Sequence, residues 1–158
     1  MKILAFVASF LLILAGVALL VFARNTPDAV NFENVGLDPR PKQFLETQSW
    51  EGRGTANVPA VDGQTLHDIV LEKGYNRALE IGTSTGHSTV WIASALSQTG
   101  GKLITVEIDE GRHRQALENF KAAGLSDFID ARLGDAHEIV PALEGPFDFV
   151  FSDADKGW

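Results

Sequence analysis

Hydrophobic and polar positions divide the chain into three regimes. From Ile3 to Ala23 there is no charge, and only Ser9 and Gly16 interrupt the apolar run. As a helix this run spans about 31 Å, close to the roughly 30 Å hydrocarbon core of a bilayer. It has no polar face, which argues against a helix buried in a soluble core. Residues 1–24 therefore read as an N-terminal transmembrane anchor or signal helix. Length favours the anchor, while Val21-Phe22-Ala23 offers a cleavage site for the exported alternative. Residues 25–45 are polar and carry Pro27, Pro39 and Pro41, which predicts a linker or loosely packed arm.

In the third regime, residues 46–158, helical and strand periods alternate. Residues 62–75 place Leu66, Ile69, Val70 and Lys73 at helical spacing before Gly74, a helix stop. A short apolar strand, 77–82, is interrupted by Glu80. Residues 88–98 read as a helix with Ser88 near its N-cap and 102–109 as a β-rich run ending in acids. Residues 110–124 form a helix with Ala116, Phe120 and Ala123 on one side and Gly124 as its cap. A weaker strand at 128–135, a helical turn at 137–143 and a strand at 147–154 complete the series. The succession β-α-β-α-β-α-β predicts an α/β fold with a parallel sheet and right-handed crossovers. The expected form is a Rossmann-like doubly wound sheet whose first four strands run in the order 3-2-1-4.

Charge and composition narrow the function. The formal charge of −8, with no basic cluster, excludes a surface built for nucleic-acid phosphates. Without cysteine there is no disulfide, thiolate zinc site or lipidated cysteine. Lys2 on one side of the apolar run, against Arg24, Arg40 and Lys42 on the other, leans toward a cytoplasmic C-terminal part.

The candidate chemistry begins at "EIGTSTGHST" (80–89), where a strand turns into a helix. Gly82 and Gly86 permit a tight turn and close ligand approach, and the following helix offers free N–H groups. The pattern is Gly-x-x-x-Gly, without the third glycine of a dinucleotide loop. Glu107 ends the next strand, where a carboxylate can accept both hydroxyls of a ribose. Glu80 interrupts a strand that should be apolar on both faces, and at the crevice it could hold an ammonium group. His67, His87 and His113 read as surface histidines. Asp155 reads as a solvated loop acid.

Taken in order, "ALEIGTSTGHST", "TVEID", "GDA" and "FDFVFSDADK" resemble the successive motifs of class I S-adenosylmethionine-dependent O-methyltransferases. The likeness is to the catechol and caffeoyl-CoA O-methyltransferase group, and it runs from about residue 56 to the last residue. The resemblance implies S-adenosylmethionine as cofactor, with Asn57 and Val58 at the entry to its methionine moiety. Glu80, Gly82, Gly86 and Ser88 would hold the methionine end, Glu107 the ribose, and Asp135 and Ala136 the adenine edge. His137 directly follows that edge. Asp153 would ligate a divalent cation (Mg²⁺) and Lys156 would act as the base toward a hydroxyl of a small, catechol-like acceptor. The group's further Asp-Asn metal-ligand pair and remaining strands do not follow, so the expectation is a C-terminally truncated, partial methyltransferase domain over 46–158. A homodimer is left open as the assembly. Two alternatives stand beside this reading: an NAD-dependent Rossmann oxidoreductase, and a noncatalytic, membrane-anchored nucleoside-binding protein.

Overall fold

The computed structural model describes residues 30–48 and 57–154. The apolar segment 1–24, Asp155 and Lys156 lie outside the described residues. Four strands form one parallel sheet in the order β3-β2-β1-β4: β1 (Arg77–Ile81), β2 (Lys102–Glu107), β3 (Ile129–Leu133) and β4 (Phe149–Ser152). This is the expected order, and the parallel pairing is what the helix–strand alternation predicts. Ala78, Leu79, Glu80 and Ile81 of β1 lie between Leu103–Val106 on one side and Phe149–Ser152 on the other. Among the described residues β4 pairs only with β1, and its Val150 is 56% exposed.

Helix α1 (Pro39–Thr47) precedes the sheet, with α2 (Ala60–Lys73), α3 (His87–Thr99) and α4 (Glu110–Ala123) following, and a short α5 (Ala136–Ile139) before β4. Glycine ends three of these helices. Gly74, Gly100 and Gly124 all adopt the left-handed conformation that closes a last turn. Asp109 caps the start of α4 by accepting from the Arg112 N–H at 2.8 Å.

Helix α3 is the hub of the core. Val90, Trp91, Ile92, Ala93, Ala95 and Leu96 are all fully buried. Opposite it, α2 buries only part of the predicted face, with Val70 fully buried and Leu66 packed against the core. Gly63, His67 and Val70 are buried, whereas Ile69 is 39% exposed and Lys73 is exposed. The reason is the Trp91 indole. A Cβ on Gly63 would stand 2.3 Å from Trp91 Nε1, so only a glycine lets the two helices meet there. His67 turns its edge to the same ring, with centroids 6.4 Å apart. His67 is therefore a core residue, not a surface one; its Nδ1 pairs with Asp68 at 3.0 Å.

The arm also departs from expectation. Within the segment predicted as a linker to residue 45, Val35, Phe44 and Leu45 are buried in the core cluster. Phe32 stacks on Trp91 at 5.7 Å. Pro39 and Pro41, two of the prolines that suggested a loose arm, sit in the first turn of α1, where a missing N–H leaves no helix bond unmade; Pro27 lies outside the described residues. Arg40 then donates to the carbonyls of Lys121 and Ala122, the last turn of α4, and so places a cation at the negative end of that helix. Gln98 Nε2 donates to the Gly36 carbonyl at 2.7 Å. The packed unit therefore includes residues 30–48.

Candidate functional site

All four strands point their C-terminal ends at one crevice of about 1270 Å³. In an open parallel sheet that is where strand ends and helix N-termini leave backbone groups free for a ligand. The crevice opens where the order reverses between β1 and β4, and the loop after β1 forms its floor. Gly82 and Thr83 both donate to the Val106 carbonyl, at 3.0 and 3.2 Å, which fastens the loop to β2. Gly82 has φ 95°, and a Cβ there would lie 2.8 Å from the Ala154 nitrogen, so β4 can approach only a glycine. Asn119 Nδ2 holds the Thr85 carbonyl at 2.8 Å, and Thr85 Oγ1 donates to Asn57 Oδ1 at 3.2 Å.

Glu107 closes β2 and is 5% exposed. Its Oε2 accepts from the Ser84 N–H at 2.6 Å and its Oε1 from the Asp109 N–H at 2.9 Å. Each oxygen keeps lone-pair capacity toward the crevice it lines. The carboxylate is thus aimed by two backbone donors before any ligand arrives. Ser84, in the left-handed region at φ 50°, is a functional residue that the sequence did not flag.

Glu80 is not at the crevice wall. It is fully buried beneath the loop, and its carboxylate accepts hydroxyls from Ser88 at 2.6 Å, from Thr105 at 2.6 Å and from Thr89. Thr83 in turn donates to the Thr105 oxygen. Burial raises the Glu80 pKa above its ordinary value; the three hydroxyls work against that rise, and Asp153 adds a small upward push. The expectation of a direct ligand to an ammonium group is corrected here to a buried anchor of the loop and of the first turn of α3. Ser88 does not cap α3; Gly86 occupies that position, and the serine hydroxyl goes to Glu80. Gly86 itself faces Phe120, 2.4 Å from where its Cβ would stand, so it serves helix packing and not the crevice.

The remaining predicted residues divide between two neighbouring cavities. Asn57, Gly82, Ser88, Glu107, Asp135, Ala136 and Asp153 line the crevice. Val58 lines a smaller adjoining cavity, which shares Asn57 and Asp153 and adds Asp62, Thr65, Leu66 and Phe151. Asp135 caps α5 through the His137 N–H at 2.8 Å and also meets His137 Nδ1; these bonds hold its carboxyl below the usual range. Ile108, Val140 and Pro141 give the same end an apolar wall. Arg112, from the first turn of α4, and His87 also line the crevice and were not anticipated. Burial lowers the His87 pKa. For a nucleoside bearing an amino-acid tail this donor set fits: an apolar wall, a diol acceptor, and a helix N-terminus. For a metal it does not, because among the described residues no group of three or more His, Asp or Glu converges.

Comparison with known proteins agrees with this geometry. Residues 79–156 match the family described as a methyltransferase domain. A catechol O-methyltransferase from Niastella koreensis is 45% identical over 110 residues, covering 64% of this chain and 49% of that protein. The catechol O-methyltransferase of Mycobacterium tuberculosis is 41% identical over 136 residues, covering 84% and 61%. A Bacillus cereus O-methyltransferase in complex with SAH superposes with a TM-score of 0.63 at 34% identity, over 75% of this chain and 56% of that one. The chain spans about half to three-fifths of the length of these relatives.

Proposed function

We propose that the chain binds S-adenosylmethionine and methylates a hydroxyl of a small acceptor: residues 79–156 match the methyltransferase-domain family, and the chain is similar to catechol and caffeoyl-CoA O-methyltransferases. The observation that carries this reading is Glu107, held by the Ser84 and Asp109 N–H groups at the mouth of the glycine loop. When bound, S-adenosylmethionine supplies an electrophilic methyl group, which an acceptor oxygen takes in line as the sulfonium becomes a thioether.

The chain's own part is to bind and to orient. Glu107 accepts the ribose hydroxyls, while Asp135 and Ala136 border the base against the Ile108 and Val140 wall. The first turn of α3 presents its N–H groups to the carboxylate end of the cofactor. Holding donor and acceptor in near-attack geometry is the largest service such a site renders. The smaller cavity beside Asn57 and Asp153 is the proposed seat of the acceptor, catechol-like by analogy with the relatives' names. Lys156 is assigned as the base that takes the acceptor's hydroxyl proton. Asp153 would give one carboxylate to a divalent cation, and among the described residues no group of three or more such ligands forms around it.

Isothermal calorimetry of the full chain with S-adenosylhomocysteine tests the reading. Binding in the micromolar range is expected, and no heat at millimolar ligand would sink it. For location, the uncharged segment 3–23 supports a single-pass anchor with the domain in the cytoplasm, where S-adenosylmethionine is made. Among the described residues no helix is long and apolar enough to cross a membrane, so the anchor rests on the sequence alone. N-terminal sequencing of the mature protein should return the first residues, and a start near residue 24 would remove the anchor.

A further inference from the structure

His87 is the first residue of α3 and 8% exposed, yet it lines the crevice. Its Nδ1 is buried without a hydrogen-bond partner. Among the described residues the ring's one polar partner is the backbone of Val58. An imidazolium needs two acceptors, and the described residues offer one. The positive end of α3 opposes a charge there as well, and burial acts in the same direction. The ring is therefore held neutral beside the site proposed for the cofactor.

Charged groups surround it on several elements. Glu107 comes from β2, Arg112 from α4, Asp135 and His137 from the β3–α5 corner, and Asp153 follows β4. Glu80 lies below the first turn of α3 and Asp62 faces the adjoining cavity on α2. None of them forms an ion pair or hydrogen bond with His87. The three lining carboxylates outnumber the single guanidinium, which favours a cationic ligand over a neutral one. A second cation in the wall would oppose that preference.

The proposed cofactor and its product differ by one charge. The donor carries a sulfonium between ribose and amino-acid tail; the product carries an uncharged thioether at the same place. With Glu107 on the ribose and the α3 N-terminus on the tail, His87, the first residue of α3, lines the tail side of the crevice, next to the point where that difference falls. We propose that His87 makes the crevice discriminate by charge: its neutral imidazole admits the sulfonium of S-adenosylmethionine, and its protonated form disfavours it while leaving S-adenosylhomocysteine bound. This rests on the cofactor reading above. The consequence is product inhibition that deepens as pH falls below the ordinary histidine range, about 6.5.

The test is an NMR titration of the His87 ring in the full chain, with S-adenosylmethionine and with S-adenosylhomocysteine. The ring should protonate at lower pH in the donor complex, by about half a unit or more, equivalent to about a threefold change in relative affinity. Calorimetry should show the ratio of donor to product Kd rising by about threefold from pH 7.5 to pH 5, and staying flat in His87→Phe. The lining carboxylates are the same in both proteins, so the variant isolates the histidine. Coincident ring titrations in the two complexes, or a ratio that still rises in His87→Phe, would overturn the proposal. Failure of both ligands to bind at any pH would overturn the cofactor reading itself, a distinct result.

Discussion

Replacing Glu80 with alanine is expected to lower the unfolding free energy by about 2–4 kcal/mol. The variant leaves the hydroxyls of Ser88, Thr89 and Thr105 without their acceptor, and all three side chains are buried. Each orphaned buried hydroxyl costs about 1–3 kcal/mol, and relief of the carboxyl's own burial offsets part of the sum. Glu80→Gln keeps the shape, and hydroxyls that can turn to accept its amide limit the loss to about 1 kcal/mol. The two variants also separate by pH. Burial raises the folded pKa of Glu80 above the reference value of 4.5, so the native state holds its proton where the unfolded chain has released it. That contribution is full below pH 4.5 and is lost as pH rises through the raised value. Urea midpoints from pH 7.5 to 5 should therefore show the native protein gaining on Glu80→Gln as pH falls. Parallel curves would mean that Glu80 is already ionised in the fold.

Much of the fold was legible because the punctuation is strong. Gly74 and Gly124 end helices where the sequence says they should, and Ala116, Phe120 and Ala123 bury the face their spacing marks. The parallel sheet follows from the alternation, which does not by itself order the strands. What failed in part was the orientation of α2, because its nearest neighbour is Trp91, which demands a glycine and tolerates a histidine edge. A periodicity rule weighs Ile69 above Gly63 and cannot see an indole arriving from another helix. The arm failed for a related reason. Proline reads as a breaker unless the first turn of a helix is already known to begin there.

In the site, residue types were legible and their depth was not. The parallel register that sets Glu80 opposite Thr105 turns a supposed ligand into an internal anchor. No spacing rule reports that four hydroxyls converge there, since Thr83, Ser88, Thr89 and Thr105 come from a loop, a helix and a strand. His87 reads as a surface histidine in the sequence, but it is buried and meets the backbone of Val58. Glu107, at the end of a strand in a known topology, needed only the topology to be placed.

Replacing Glu107 with alanine is therefore expected to have the largest effect on ligand affinity. Two hydrogen bonds from ribose hydroxyls to an ionised acceptor are worth about 1.5–3 kcal/mol each, so the Kd for S-adenosylhomocysteine should rise at least about 100-fold. The substitution also frees the Ser84 and Asp109 N–H groups, which loosens the loop that the ligand must meet. Glu107→Gln should fall between, near tenfold, because its amide sets a donor against one of two backbone donors. A deoxyribose analogue tells loss of contact from loss of shape. If Glu107 holds the diol, removing the 2′-hydroxyl weakens binding to the native protein and changes little in Glu107→Ala, a coupling that a double-mutant cycle measures. Equal penalties in both proteins would show that the carboxylate only shapes the loop. Unchanged affinity in Glu107→Ala would remove the ribose assignment and, with it, the observation on which the cofactor reading chiefly stands.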